Sequence, residues 1–182
     1  MINEINNESQ LIAAALKGEE SAYNRLLNSY KSRILSYVYR MVKNYHDAEE
    51  ITFDTFVRCF KSLKSFDQTK NFSTWLYTIA HNLSIDFLRK NKINYDYLDE
   101  RYSDISSNQD LTKDYENKRK MNLIDQALAQ LAPIDREIMI LFHKEEKSYE
   151  EISEMLNIPT TTIKTRLHRA RLKLREMLRE KE

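Results

Sequence analysis

Apolar residues recur at helical spacing in blocks along the chain, and polar interruptions separate the blocks. Leu11, Ile12, Ala15 and Leu16 give a first short face, closed by Gly18, where a left-handed helix end is expected. A long helix is predicted from about Ser21 to Lys43, with Leu26, Leu27, Tyr30, Ile34, Tyr37, Val38 and Met41 on one side. A third runs from Asp47 to about Leu63, with Asp47, Glu49 and Glu50 in its first turn, where the helix dipole favours negative charge. A fourth spans about Thr74 to Lys90 behind Ser73 as N-cap, with Leu76, Ile79, Ala80, Leu83 and Phe87 as its buried face. Trp75, Asn82 and Asp86 then fall together on its flank.

From Asn91 to about Lys120 the periodicity dissolves into a polar, weakly acidic stretch that reads as a flexible linker. Its tyrosines and Ile105 give it some capacity to dock. Helical spacing resumes from about Asn122 to Leu131, then from about Ile134 to Glu145 with Pro133 at the entrance. Ser148-Tyr-Glu-Glu151 is a capping box that opens a short helix over Tyr149 to Leu156. Asn157-Ile158-Pro159 ends it, since Asn tolerates the left-handed conformation, and a last helix follows from about Thr161 to Arg179 with Thr160 or Thr161 to cap it. Helix, tight turn, helix is the layout of a helix-turn-helix. The expected fold is therefore all-α: two small helical domains, residues 1–92 and 121–182, joined by a linker over residues 93–120.

At 100° per residue, Ile163, Leu167, Ala170, Leu174 and Leu178 share the inner face of the last helix. Thr161, Thr165 and His168 lie opposite, flanked by Lys164 and Arg169. Hydroxyl and imidazole groups for base edges, continued by cations for phosphates, suit a reader of the major groove. A basic helix also reads as a solvated face; the capping box, the turn and the outward face together favour DNA.

Composition narrows the picture. One Gly and two Pro in 182 residues leave few β-turn formers. The single Cys, Cys59, excludes an internal disulfide framework and suits a reducing compartment. The N-terminus lacks the basic flank and apolar core of a signal peptide, and no apolar run approaches the roughly 20 residues that span a bilayer, so a cytoplasmic location is expected. The net charge of +1 conceals an asymmetry: Lys164, Arg166, Arg169, Arg171, Lys173 and Arg175 place six cations within twelve residues. The four histidines, His46, His81, His143 and His168, show no metal-ligand spacing with Cys59. There is no P-loop, nucleophile elbow or Gly-rich dinucleotide turn, so neither an enzyme, a metal nor a cofactor is expected.

Leu131-Ala-Pro-Ile-Asp-Arg-Glu-Ile-Met-Ile-Leu141, Ser148-Tyr-Glu-Glu-Ile-Ser-Glu-Met-Leu-Asn-Ile-Pro159 and Ile163-Lys-Thr-Arg-Leu-His-Arg-Ala-Arg171 resemble the promoter-binding C-terminal domain of bacterial sigma factors. Asn157 stands where that family often has Gly. Asp47-Ala-Glu-Glu-Ile-Thr-Phe-Asp-Thr-Phe-Val-Arg58 resembles the family's polymerase-clamp helix. Phe66, Phe72 and Thr74-Trp-Leu-Tyr-Thr-Ile-Ala-His-Asn-Leu-Ser-Ile-Asp-Phe-Leu-Arg89 resemble the segment that opens and reads the −10 element. The two blocks in this order, with a linker and little else, resemble the small extracytoplasmic-function (ECF) type.

The resemblance implies a promoter-recognition subunit whose partners are promoter DNA and core RNA polymerase, at its clamp and flap, with an anti-sigma factor as a further candidate partner. It places Lys164, Thr165, His168 and Arg169 on the −35 duplex, with Arg166, Arg171 and Lys173 beside them. It places Phe66, Trp75, Asn82, Arg89 and Lys90 at the −10 element. Asp47, Glu50, Phe53, Asp54 and Phe56 would face the polymerase, although the family usually has Gln at the position of Phe53 and Glu at that of Asp54. Taken singly, Trp75 reads as readily as a core aromatic, Asn82 as a satisfied flank amide, and Asp86 as structural. The alternative to a sigma factor is a stand-alone helix-turn-helix regulator, which would recognise duplex DNA without polymerase.

Overall fold

The computed structural model describes residues 2–90 and 123–179, and the chain divides into two compact units, residues 1–93 and 94–182. The linker expected over residues 93–120, with its tyrosines and Ile105, lies outside the described residues. Every regular element among the described residues is helical.

The first unit comprises α1 (Ile2–Leu16), α2 (Glu20–Val42), α3 (Tyr45–Ser62), a 3-10 turn (Leu63–Ser65) and α4 (Phe72–Lys90). Helix α2 packs against the other three helices. Its apolar positions supply the reason: Leu26, Tyr30, Ile34, Tyr37 and Met41 recur every three or four residues and are buried, with Val38 beside them. Helix α1 ends as the glycine signal predicts. Gly18 adopts φ +91°, its N–H donates to Ala15 O, and the Glu19 N–H donates to Ala14 O, which completes a Schellman cap. The next corner is tighter and uses no glycine. Lys43 takes φ 60° and donates to Tyr39 O at 2.8 Å, and Asn44 at once caps α3 by accepting the Asp47 amide at 3.1 Å.

Three expectations need correction here. Helix α3 begins at Tyr45, so only Asp47 of the three acids lies in its first turn; Glu49 and Glu50 lie further along. Helix α4 begins at Phe72, and Asn71 rather than Ser73 caps it, accepting the Thr74 amide at 3.0 Å. The buried face of α4 is also turned from the expected one. Phe72, Ser73, Leu76, Tyr77, Ala80, Ser84 and Leu88 are enclosed, while Ile79, Leu83 and Phe87 are only half-buried. Tyr77 packs edge-on against Tyr37 (5.2 Å between centroids), and Ser84 donates to Ala80 O at 2.8 Å. That local bond removes the cost of burying the Ser84 hydroxyl.

Helix α3 faces this core with small residues, Ala48, Thr52, Thr55 and Cys59. Thr55 returns its hydroxyl to Ile51 O at 2.7 Å, and burial pushes the Cys59 thiol up to about 12. The hydroxyl of Tyr30 donates to Glu8, which ties α1 to α2.

The second unit contains α5 (residues 123–129), α6 (Pro133–His143), α7 (Tyr149–Leu156) and α8 (Thr160–Arg179). Ile138, Leu141, Ile152, Ile163 and Leu167 form its centre. The capping box on α7 is complete: Glu151 N–H donates to Ser148 Oγ at 3.1 Å, and Ser148 N–H to Glu151 Oε2 at 2.9 Å. Asn157 adopts φ 54°, and Ser153 Oγ donates to Ile158 O at 2.7 Å, so three residues suffice to turn the chain. Helix α8 starts at Thr160, so Pro159, not a threonine, holds the cap position; its carbonyl accepts the Thr162 and Ile163 amides.

Arg136, 3% exposed, closes the end of α5. Its Nε donates to Leu128 O at 3.0 Å, and Nη2 donates to the carbonyls of Ala129 and Leu131. The last carbonyls of a helix have no intrahelical partner, and the guanidinium supplies donors to them. Arg136→Met should lower the stability of the full chain by about 2–4 kcal/mol in urea unfolding, because three carbonyls, that of Leu131 buried and the others partly so, lose a charged donor. Ser148→Ala should cost about 1 kcal/mol, the usual value of an N-cap. If Arg136→Met costs no more than Ser148→Ala, water replaces the guanidinium at this helix end.

Candidate nucleic-acid and protein interfaces

In the second unit, the turn at Asn157 and the burial of Ile163, Leu167 and Ala170 fix the rotation of α8 about its axis. Thr161, Thr165 and His168 therefore lie exposed, with Lys164 and Arg169 exposed beside them, as the projection requires. Thr165 returns its hydroxyl to Thr161 O at 3.0 Å, which orients its methyl and oxygen. Leu174 and Leu178 are half-buried and Leu172 is exposed, so the apolar edge loosens toward the end of the helix.

The remaining cations of α8 are less free than a projection suggests. Arg166 Nη1 meets Asp135 Oδ1 of α6 at 2.8 Å. Arg171 Nε donates to His143 Nε2 at 3.1 Å, while its guanidinium lies over the Phe142 ring, 5.1 Å from the centroid. Lys173 Nζ approaches Gln130 O at 3.5 Å. Lys164 Nζ sits over the Tyr149 ring at 5.2 Å. Only the exposed charges were legible in the sequence; the aromatic partners Phe142 and Tyr149 were not singled out as such. Their signal was weak: two aromatic residues bracket the turn between α6 and α7, where polar residues would suffice.

In the first unit, two surfaces carry the other candidate residues. On α3, Glu50, Phe53 and Asp54 are exposed together, Phe53 by 68%, and Asp47 is half-buried. Phe56 does not join them. It is 9% exposed, so its ring is mostly enclosed, with what remains open lying along the groove beside Phe53. The surface instead includes Phe60, 56% exposed and 4.8 Å from the Tyr23 ring. Tyr23, Leu27, Phe53, Phe56, Val57 and Phe60 line an apolar groove of about 430 Å³ between α2 and α3, with Lys31 and Lys61 also on its walls. Phe53, Val57 and Phe60 lie at i, i+4 and i+7, a second apolar stripe on α3 that could have been read from spacing alone.

On α4, Asn82, Arg89 and Lys90 are exposed, and Trp75 is half-buried. Phe66 is 8% exposed, its ring 4.8 Å from Trp75 and 5.5 Å from Phe72. Phe66 thus supports Trp75 from within rather than offering a ring face of its own. Half-buried Ile79 lies between Trp75 and Asn82 on the same side of α4. Asp86 sits 3.9 Å from Arg89, an exposed pair of small energetic weight.

Among the described residues no cluster of His, Cys, Asp or Glu is arranged to hold a metal ion, and no helix is long and apolar enough to cross a membrane.

Residues 26–93 match the family model described as Sigma-70 region 2, and residues 121–174 match that described as Sigma-70, region 4. The chain is similar to the ECF RNA polymerase sigma factor SigW of Bacillus subtilis, with 40% identity over 174 residues that cover 90% of this chain and 92% of that protein. It is 33% identical over 159 residues to the RNA polymerase sigma factor YlaC of the same organism, covering 83% and 88% of the two chains. The solved structure of the sigma factor RpoE in complex with the anti-sigma factor NepR from Bartonella quintana shares its fold. The TM-score is 0.70 at 23% identity, covering 86% of this chain and 96% of that one.

One titration is built into the α6–α8 contact. Desolvation first, and the charge of Arg171 second, hold the His143 imidazole below its usual value of 6.5. The neutral ring also suits the bond from Arg171, which needs Nε2 unprotonated. The folded state thus binds this proton less readily than the unfolded chain. Its stability contribution is complete above pH 6.5 and is lost as pH falls through the lower folded value. Between about pH 7 and pH 5, the thermal midpoint should fall more steeply in the natural chain than in His143→Gln. Parallel slopes would remove His143 as the source.

Proposed function

The chain belongs to the ECF family of RNA polymerase sigma factors, and on that premise we propose how its two units divide the work of promoter recognition. As a sigma factor it directs promoter-specific initiation of transcription, in partnership with core polymerase and promoter DNA. The C-terminal unit reads the −35 duplex. Thr165, His168 and Arg169 address base edges, and Lys164, Arg171 and Lys173 neutralise phosphates. Arg166, bound to Asp135, braces α8 against α6 and contributes charge to the same face.

The N-terminal unit holds the polymerase and captures the −10 strand. Glu50 and Asp54 meet cations of the clamp, and exposed Phe53 enters an apolar site there, with Phe60 and the α2–α3 groove extending the contact. Asp47 adds charge at the start of the helix. At the other surface Asn82 discriminates an unstacked base, Trp75 backs it, and Arg89 and Lys90 hold neighbouring phosphates. Phe66 acts by stiffening Trp75. Stacking of a base contributes roughly 1–3 kcal/mol, comparable with the few kcal/mol needed to unstack it, so several contacts must act together. An anti-sigma factor that competes for the polymerase-facing groove belongs to the same proposal.

The observation that carries this reading is the outward face of α8, which presents Thr161, Lys164, Thr165, His168 and Arg169 after a capped helix and a three-residue turn. Each unit alone binds weakly; a tether raises the effective concentration of the second site once the first is engaged.

Run-off transcription with purified core polymerase on genomic promoter fragments tests the whole reading, and specific transcripts are expected only with the chain added. Arg169→Ala should reduce −35-dependent initiation selectively. Lys173→Ala should weaken binding to all sequences alike and lower the salt slope by about 1. Equal loss of selectivity in both variants would refute this division. Glu50→Lys with Asp54→Lys should abolish co-purification with core while leaving circular dichroism unchanged, since both side chains are exposed.

A further inference from the structure

Four side chains of the C-terminal unit form a continuous ladder across three helices. Arg171 of α8 lies over the face of Phe142, 5.1 Å from its centroid. The Phe142 ring stacks on Tyr149 at 5.0 Å and 29°, and Tyr149 in turn carries Lys164 of α8 at 5.2 Å. Phe142 comes from the end of α6 and Tyr149 opens α7. Both rings are only half-buried, so neither is explained by core packing alone.

The two cations are seven positions apart, which places them on one edge of α8, about 10.5 Å apart along its axis. Lysine and arginine on a free surface sample many rotamers and lose that freedom when they bind a phosphate. Here each is already confined against a ring. The planar guanidinium uses one face for Phe142 and Nε for His143, which leaves its terminal nitrogens available. The ammonium of Lys164 likewise retains donors on the side away from Tyr149.

The geometry points to Phe142 and Tyr149 as positioning residues for promoter binding: a stacked aromatic pair that pre-orients Lys164 and Arg171 toward the phosphates flanking the −35 site. The inference rests on the assignment of α8 as the DNA-reading helix. Neither ring touches DNA. They act through the cations, and the capping box fixes one of them, because Tyr149 is the first residue of the helix that Ser148 caps.

The experiment measures equilibrium binding of the reconstituted holoenzyme to a duplex bearing the −35 element, across a range of salt concentrations. The reference variants are Lys164→Ala and Arg171→Ala; the test variants are Phe142→Leu, Tyr149→Leu and Tyr149→Phe. Thermal unfolding of each full chain gives a separate measure of folding. Phe142→Leu and Tyr149→Leu should weaken binding about two- to fivefold each, the range expected for one exposed cation–π contact. They should also flatten the salt dependence, since fewer counterions are released when a cation is poorly placed. Tyr149→Phe keeps the ring and should behave as the natural chain, both in affinity and in slope.

If the leucine variants fold and bind with unchanged affinity and slope while the alanine variants lose both, the positioning role is wrong and α8 remains the reader. Tighter binding by the leucine variants would also overturn it, by making the rings a brake on the cations. Should Lys164→Ala and Arg171→Ala have no effect either, the assignment of α8 falls together with the ladder.

Discussion

Burial of one edge of α8 is the constraint on which the C-terminal unit depends. Ile163, Leu167 and Ala170 have to meet the core built by α6 and α7, and a helix pinned along one edge has no freedom to rotate. Its other edge is thereby assigned to solvent, and with it Thr161, Lys164, Thr165, His168 and Arg169, the residues proposed to address DNA. The devices around it serve that registration. The Ser148–Glu151 box fixes where α7 begins, Asn157 fixes where it ends, and the Arg166–Asp135 pair resists twisting of α8 against α6. Hydrophobic packing thus sets which polar groups face outward, although no apolar residue is among them.

The N-terminal unit applies the same logic to two surfaces at once. Helix α2 packs against α1, α3 and α4, and those helices each keep one side free. Helix α3 faces the core with Ile51 and Phe56 as well as the small Ala48, Thr52, Thr55 and Cys59, and still leaves two large apolar groups, Phe53 and Phe60, on the outside. An ordinary surface helix carries no second apolar stripe of this kind. Exposed aromatic groups of this size beside Glu50 and Asp54 are what an interface with a large protein partner requires. On α4 the aromatic group of Phe66, Phe72 and Trp75 stiffens the start of the helix, and Asn82 lies two turns further on.

Much of this was written legibly in the chain. The capping box, the left-handed Asn157 and the face of Ile163 and Leu167 are local, and local rules located them to within a residue. Gly18 signalled its Schellman turn for the same reason. The corner at Lys43 was illegible because nothing in a lysine announces a positive φ; only the demand that α3 restart at once, with Asn44 as its cap, forces it. The rotation of α4 was misread because a hydropathy pattern ranks Ile79 and Phe87 above Tyr77 and Ser84, whereas the core prefers whichever side fits Tyr37 and permits close approach. Phe56 and Phe66 were read as contact residues on type and neighbourhood; both are mostly enclosed, Phe56 along the α2–α3 groove and Phe66 against Trp75, and the spacing did not show that enclosure. Pairings such as Arg136 with the end of α5, or Phe142 with Arg171, depend on where helices meet. No window of sequence contains them.

The enclosure of Cys59 has a practical corollary. Its sulfur is wholly covered, and the reactive thiolate is suppressed at neutral pH. Maleimide or iodoacetamide reagents will therefore spare it in the folded chain, so a cysteine introduced on the solvent side of α3 or α8 becomes the sole handle for a fluorophore. The native residue need not be removed, and each helix can be followed optically during assembly with polymerase without disturbing the interior.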